Sequence, residues 1–110
     1  MQVLRASDYR RMPWKNGGGE TTEMIVSPPG AGLDTFDWRI SMARVASDGP
    51  FSVFPGIDRT LTILDGAGIR IAVADKTQSL TVASAPLAFP GDVPTEAWLL
   101  DGPVTDFNVM

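Results

Sequence analysis

At 110 residues the chain has room for one domain with a core of its own, held without disulfides or metals. Hydrophobic residues at 44 % and charged residues at 20 % are ordinary globular usage, and with no Cys and no His the chain excludes disulfide scaffolds, thiolate and imidazole catalysis, and metal sites built on those ligands. Nine Lys and Arg against 13 Asp and Glu give a net charge of −4, a field that repels nucleic acid and anionic lipid.

Residues 1–8 lack the apolar stretch of a signal peptide, and no segment approaches the length of a membrane span, which points to a cytoplasmic protein without a membrane partner. Residues 2–6 form a first candidate strand, and Ser7 caps one helical turn reaching Arg10. A polar, glycine-rich loop follows, then a strand over residues 21–27 that ends at Pro28-Pro29-Gly30. The strand over residues 38–45 alternates: Trp38, Ile40 and Met42 face one way, and Arg39, Ser41 and Ala43 the other. On this reading Arg39, on the outer-facing register, and Arg44, near the strand's end, are both solvated. Two turns, Asp48-Gly49-Pro50 and Phe54-Pro55-Gly56, precede a strand over residues 59–64. The period of two continues across Asp65-Gly66 into residues 69–73, which predicts a hairpin between these two strands. Further strands are expected over residues 79–83, 97–100 and 105–110, with turns at Phe89-Pro90-Gly91-Asp92 and Asp101-Gly102-Pro103. Many short strands with minimal helix define an all-β protein, a sandwich or barrel of antiparallel strands.

The last five residues read as the middle of a strand with no turn signal after them. Either this strand is tucked into a sheet or the chain is part of something longer, and the second reading is preferred.

Two segments carry candidate chemistry. The first is Met12-Pro13-Trp14-Lys15-Asn16-Gly17-Gly18-Gly19-Glu20-Thr21, in which an indole, a cation and an amide precede three glycines. It is not a phosphate loop, because no Gly-Lys-Ser/Thr follows. The glycines alone fit a flexible turn, and Trp14 fits either a pocket wall or a plug over one barrel end. The second runs from Asp48 to Arg59. Alternation turns Arg59 inward with Leu61 and Ile63 and puts Asp58 on the opposite face. An inward Arg is costly unless partnered. Its planar fork suits a carboxylate ligand, and it suits equally an internal pair with Asp48, Asp58 or Glu23. No spacing singles out a pair of catalytic carboxylates, Ser and Thr have no His partner, and neither Lys15 nor Lys76 neighbours a Ser.

These same blocks, together with Trp38-Arg39-Ile40-Ser41 and the closing Leu100-Asp101-Gly102-Pro103-Val104-Thr105-Asp106-Phe107-Asn108-Val109-Met110, resemble the HutD/Ves family over essentially the whole chain. The resemblance implies a cupin-like (jelly-roll) β-barrel, usually doubled in that family, so that residues 1–110 form a single cupin-like domain matching the N-terminal part of a double cupin. It also implies a link to histidine utilisation. There the family is understood to govern the pathway by binding a formylated or formimino-glutamate intermediate rather than turning it over. Carried onto this chain, Arg59 grips the carboxylate, Trp14 and Asn16 line the pocket, Lys15 adds charge, and Asp58 completes the binding set. No cofactor and no metal are expected, and the partners are a small carboxylate metabolite and a second copy in a homodimer. Two other readings stand beside this one. One is a metal-independent isomerase or lyase using Asp58 or Glu20 as proton carrier; the other is a structural or protein-interaction domain whose mouth Trp14 seals.

Overall fold

The computed structural model describes residues 9–14 and 17–110. The expected strand over residues 2–6, the Ser7 cap, Lys15 and Asn16 lie outside the described residues. Ten strands and no helix form within them: β1 (Arg10–Pro13), β2 (Gly19–Ser27), β3 (Trp38–Val45), β4 (Gly49–Pro50), β5 (Asp58–Asp65), β6 (Ile69–Val73), β7 (Lys76–Leu80), β8 (Leu87–Pro90), β9 (Thr95–Leu99) and β10 (Val104–Val109). The helical turn expected to reach Arg10 is therefore corrected: Arg10 opens β1, which pairs with β2.

All pairings are antiparallel and build two sheets, ordered β1-β2-β3-β10-β5-β8 and β4-β9-β6-β7. From β3 onward the chain passes back and forth between the sheets, staying in one sheet only for the β6–β7 hairpin. That alternation is a jelly roll. It overturns the hairpin expected at Asp65-Gly66, because β5 lies in the large sheet and β6 in the small one. The turn there is a corner between sheets. Gly66 takes φ of +100° and leaves no room for a side chain, since a Cβ would come within 2.6 Å of the Pro103 carbonyl oxygen.

Several expected strands shift by a few residues. The one placed over residues 79–83 is β7, ending at Leu80, and the one over residues 97–100 is β9, starting at Thr95. The turn read at Phe89-Pro90 holds instead the end of β8. A proline is tolerated there because β8 pairs only with β5 and its other edge needs no N–H donor. The C-terminal strand is no edge: β10 pairs with β3 on one side and β5 on the other.

The core lies between the sheets at one end of the barrel. Leu61, Ile63 and Val104 from the large sheet meet Ile69, Ile71 and Leu80 from the small one. Phe36, Phe54 and Met110 form a second, smaller cluster. Leu61 is fully buried. Leu61→Ala is expected to cost about 2–5 kcal/mol through lost transfer energy and the cavity left behind, read as a lower midpoint in denaturant unfolding.

Candidate functional site

The inner face of the large sheet changes character along its strands. On β3, Val45 and Ala43 belong to the core, and Ser41 and Arg39 continue the same face. On β5, Ile63 and Leu61 lead to Arg59, and on β10, Val104 leads to Asp106 and Asn108. Register brings these together, with Asn108 opposite Ser41 on one side and Leu61 on the other. One half of the interior is therefore apolar and packed, and the other half is polar. The polar half opens into a cavity of about 500 Å³. Its floor is Arg39, Ser41, Arg59, Asp106 and Asn108; its walls include Met12, Pro13 and Trp14, and Pro50, Phe51, Ser52 and Phe54.

The expected orientation of β3 is reversed. Arg39, Ser41 and Ala43 point inward, and Trp38 and Arg44 are exposed. Arg39 is only 4 % exposed, and its Nε donates to Glu23 Oε1 at 2.9 Å in a pair that is almost wholly sequestered. Glu23 reaches it from β2, two residues before a shift in pairing register at Ile25.

Arg59 is the second buried guanidinium. Its Nη1 donates to the Ser52 backbone carbonyl at 3.2 Å and its Nη2 to Asn108 Oδ1 at 3.0 Å. Its Nε has no partner among the described residues. The rings of Phe51, Phe54 and Phe89 each lie 5.3 Å from its central carbon, so aromatic faces stand where water would otherwise solvate the charge. Burial lowers its pKa to about 10; the charge of Asp106 opposes that shift and the charge of Arg39 adds to it.

Asp106 completes the chain of contacts. Its Oδ1 accepts from Asn108 Nδ2 at 2.8 Å, so Asn108 bridges Arg59 and Asp106 with both ends of one amide. Asp106 is 2 % exposed. Burial raises its pKa to about 7, against the opposing pull of Arg59, the Ala43 backbone and Asn108.

Of the residues expected to bind ligand, the structure brings Trp14 and Arg59 to this one cavity. Trp14 is part of its wall, with Nε1 donating to Thr21 Oγ1 at 2.8 Å. Gly19 is required beneath it, because a Cβ there would meet the indole and the Arg44 carbonyl. Asp58 departs from the expected set: it is exposed on the far face of β5, as the alternation that turns Arg59 inward demands. Glu20 is half-buried and 3.9 Å from Arg11, outside the cavity, so neither proposed proton carrier lines it. None of the internal partners considered for Arg59 holds it. Asp48 accepts from the Leu99 backbone N–H and Glu23 is bound to Arg39.

Asp106, Asn108, Ser41 and the phenylalanines went unforeseen. The available signal was the alternation of Val104, Asp106 and Asn108 on β10, continued by Met110 just after it. It competes with the apolar alternation of Phe107 and Val109, which is the face a sequence reading sends inward.

The two sheets and the cavity between them define a cupin-like barrel. The cupin domain of an XRE family transcriptional regulator from Enterobacter cloacae superposes on 84 % of this chain and 94 % of its own with a TM-score of 0.65 at 12 % identity, a likeness of fold alone. The chain belongs to the HutD family, whose model matches residues 6–110. It is 44 % identical over its full length to an uncharacterized 21.2 kDa protein in the hutC 3' region of Pseudomonas putida, of which it covers 57 %. It is 38 % identical to Protein Ves of Escherichia fergusonii over 94 % of this chain and 55 % of that protein. The solved structure of HutD from Pseudomonas fluorescens SBW25 matches at 43 % identity and a TM-score of 0.87, over 98 % of this chain and 58 % of that one. The chain thus spans little more than half the length of the relatives it matches.

Two outcomes follow for the buried charges. Glu23→Ala strands Arg39 in the interior and is expected to cost about 3–5 kcal/mol, measured by denaturant unfolding. For Asp106 the folded state holds its proton up to about pH 7, whereas the ordinary carboxyl value is 3.8, so the group's contribution to stability is present at low pH and lost as pH rises between the two. Asp106→Asn never acquires that charge. Its melting temperature, set against the unsubstituted chain, is expected to improve steadily from about pH 4 to about pH 7 and to hold that gain above.

Proposed function

We propose that the chain is a metal-independent, ligand-binding barrel of HutD type, acting in the regulation of histidine utilisation by recognising a small carboxylate such as formylated or formimino-glutamate. The observation that carries this reading is Arg59. It is a cation buried on the floor of a cavity, and its hydrogen-bond partners are a neutral amide oxygen and a backbone carbonyl. No ion pair holds it among the described residues, whereas Arg39 is already matched by Glu23. A carboxylate supplies what Arg59 lacks, in the two-oxygen geometry that a guanidinium edge prefers.

The size of the cavity agrees with that ligand class, since small-molecule sites occupy about 300–1,000 Å³. Its lining also suits an anion and disfavours a divalent cation. Asp106 is the one carboxylate among the described lining residues, and two guanidiniums share the floor with it. That donor set fits no metal centre of the cupin-like kind. Membership of the HutD family, and a relative in the hutC 3' region of Pseudomonas putida, support the link to histidine utilisation. On this reading residues 1–110 are one cupin-like domain that carries the pocket within itself, in a cytoplasmic protein.

A thermal-shift titration tests the proposal. N-formylglutamate, N-formiminoglutamate, glutamate, urocanate and histidine are each added to the purified chain, and a ligand at a hundred times its dissociation constant adds about 2.7 kcal/mol of stability. The expected result is a raised melting temperature with the N-substituted glutamates. Arg59→Ala should melt cooperatively without responding, and Arg59→Lys should respond weakly, keeping the charge without the fork. An undiminished shift in Arg59→Ala, or a cooperatively melting chain that responds to none of the acids, would overturn it.

A further inference from the structure

Asp106 has no part in the reading above, yet it is the most deeply buried ionisable group that lines the cavity. It reaches Arg59 only through Asn108, by two hydrogen bonds of 2.8 and 3.0 Å. Among the described residues the charged groups around it are few. Arg59 comes from β5; Arg39 comes from β3 and is neutralised by Glu23 of β2. The facing wall, Pro50, Phe51, Ser52 and Phe54, holds nothing that titrates. With Asp106 ionised, the floor carries two balanced sets: Arg39 with Glu23, and Arg59 with Asp106.

A carboxylate that settles on Arg59 breaks the second balance. Two anions then share one guanidinium in a site lined by aromatic rings, where an uncompensated charge costs several kcal/mol. Like charges placed close together in such a site force one of them to take up a proton. The ligand's carboxylate contacts Arg59 directly and keeps its charge; Asp106, one amide further away and almost wholly buried, is the group that yields.

We infer that the pocket takes up its carboxylate together with one proton, and that Asp106 is the residue that receives it. The step is a protonation alone: a proton passes from water or buffer to a carboxylate oxygen of Asp106, and no other bond forms or breaks. Recognition is then of a carboxylate plus a proton, which makes occupancy fall as the surroundings become alkaline and favours ligands that bring no cation of their own to that corner. This inference rests on the assignment of Arg59 as the carboxylate anchor. The raised pKa of Asp106, about 7, puts the coupling within the neutral range, and the lowered value of Arg59, about 10, keeps the anchor charged across it.

The test is isothermal titration calorimetry of the chain with N-formyl-L-glutamate, whose own carboxyls stay ionised above about pH 6. Titrations at each pH are run in two buffers of different ionisation enthalpy, so that the protons taken up per ligand are counted directly. The dissociation constant is expected to be flat below about pH 6 and to weaken by up to tenfold per pH unit above about pH 7, with uptake approaching one proton per ligand. Asp106→Asn should bind with a constant affinity over the same range and take up none. Binding that is independent of pH with no proton uptake, or uptake that persists in Asp106→Asn, overturns the inference and leaves the carboxylate pocket standing. No binding heat from folded chain at any pH overturns the pocket assignment and this inference with it. The proton count on the unsubstituted chain needs no variant, so the outcome is decided even if Asp106→Asn does not fold.

Discussion

A guanidinium held inside a β-barrel, with no carboxylate among the described residues touching it, is the constraint around which this structure is arranged. Burying Arg59 removes it from water, and the fold replaces that water piece by piece. Three phenylalanine rings, two from the segment between β4 and β5 and one from β8, surround its plane, a backbone carbonyl takes one nitrogen, and an amide takes another. The replacements come from three separate parts of the chain. Ser52 lies between β4 and β5, Phe89 lies on the edge strand of the large sheet, and Asn108 lies on the strand that fills its middle. The jelly-roll crossing that inserts β10 between β3 and β5 is what delivers Asn108 and Asp106 to Arg59.

The two buried arginines show how differently one interior can treat the same side chain. Arg39 meets Glu23 head-on at 2.9 Å, which satisfies it and leaves it little attraction for a ligand. Among the described residues Arg59 donates only to neutral oxygens, and Asp106 stands one amide away. An aromatic box and neutral acceptors keep such a cation folded without spending its charge, so attraction remains for a molecule from outside. The apolar half of the barrel makes this possible: Leu61, Ile71 and their neighbours supply the stability that lets the other half stay polar and open.

Much of the fold was legible along the chain. β3 and β6 fall on the expected bounds, and the alternation of Arg59, Leu61 and Ile63 turned Arg59 inward. Other features were hidden for stated reasons. Alternation divides β3 into two faces and does not say which is inside, and Trp38, Ile40 and Met42 are the more apolar of the two. The barrel sends Arg39 and Ser41 inward because they line a pocket rather than a core. The same preference concealed Asp106 and Asn108 behind Phe107 and Val109 on β10. At Asp65-Gly66 the turn chemistry is that of a hairpin and the strands on either side alternate properly, yet the corner leads into the opposite sheet.

The amino-acid sequence by itself determined that this is an all-β chain with no thiol and no imidazole chemistry, and that one Arg points into the barrel, because composition and a period of two are local properties of the chain. Tertiary structure alone decided who that Arg meets. Its amide neighbour lies 49 residues away in sequence, and its aromatic box joins Phe51, Phe54 and Phe89 across two separate segments. Such partners are set by strand order and register, which depend on how the two sheets close over a shared interior.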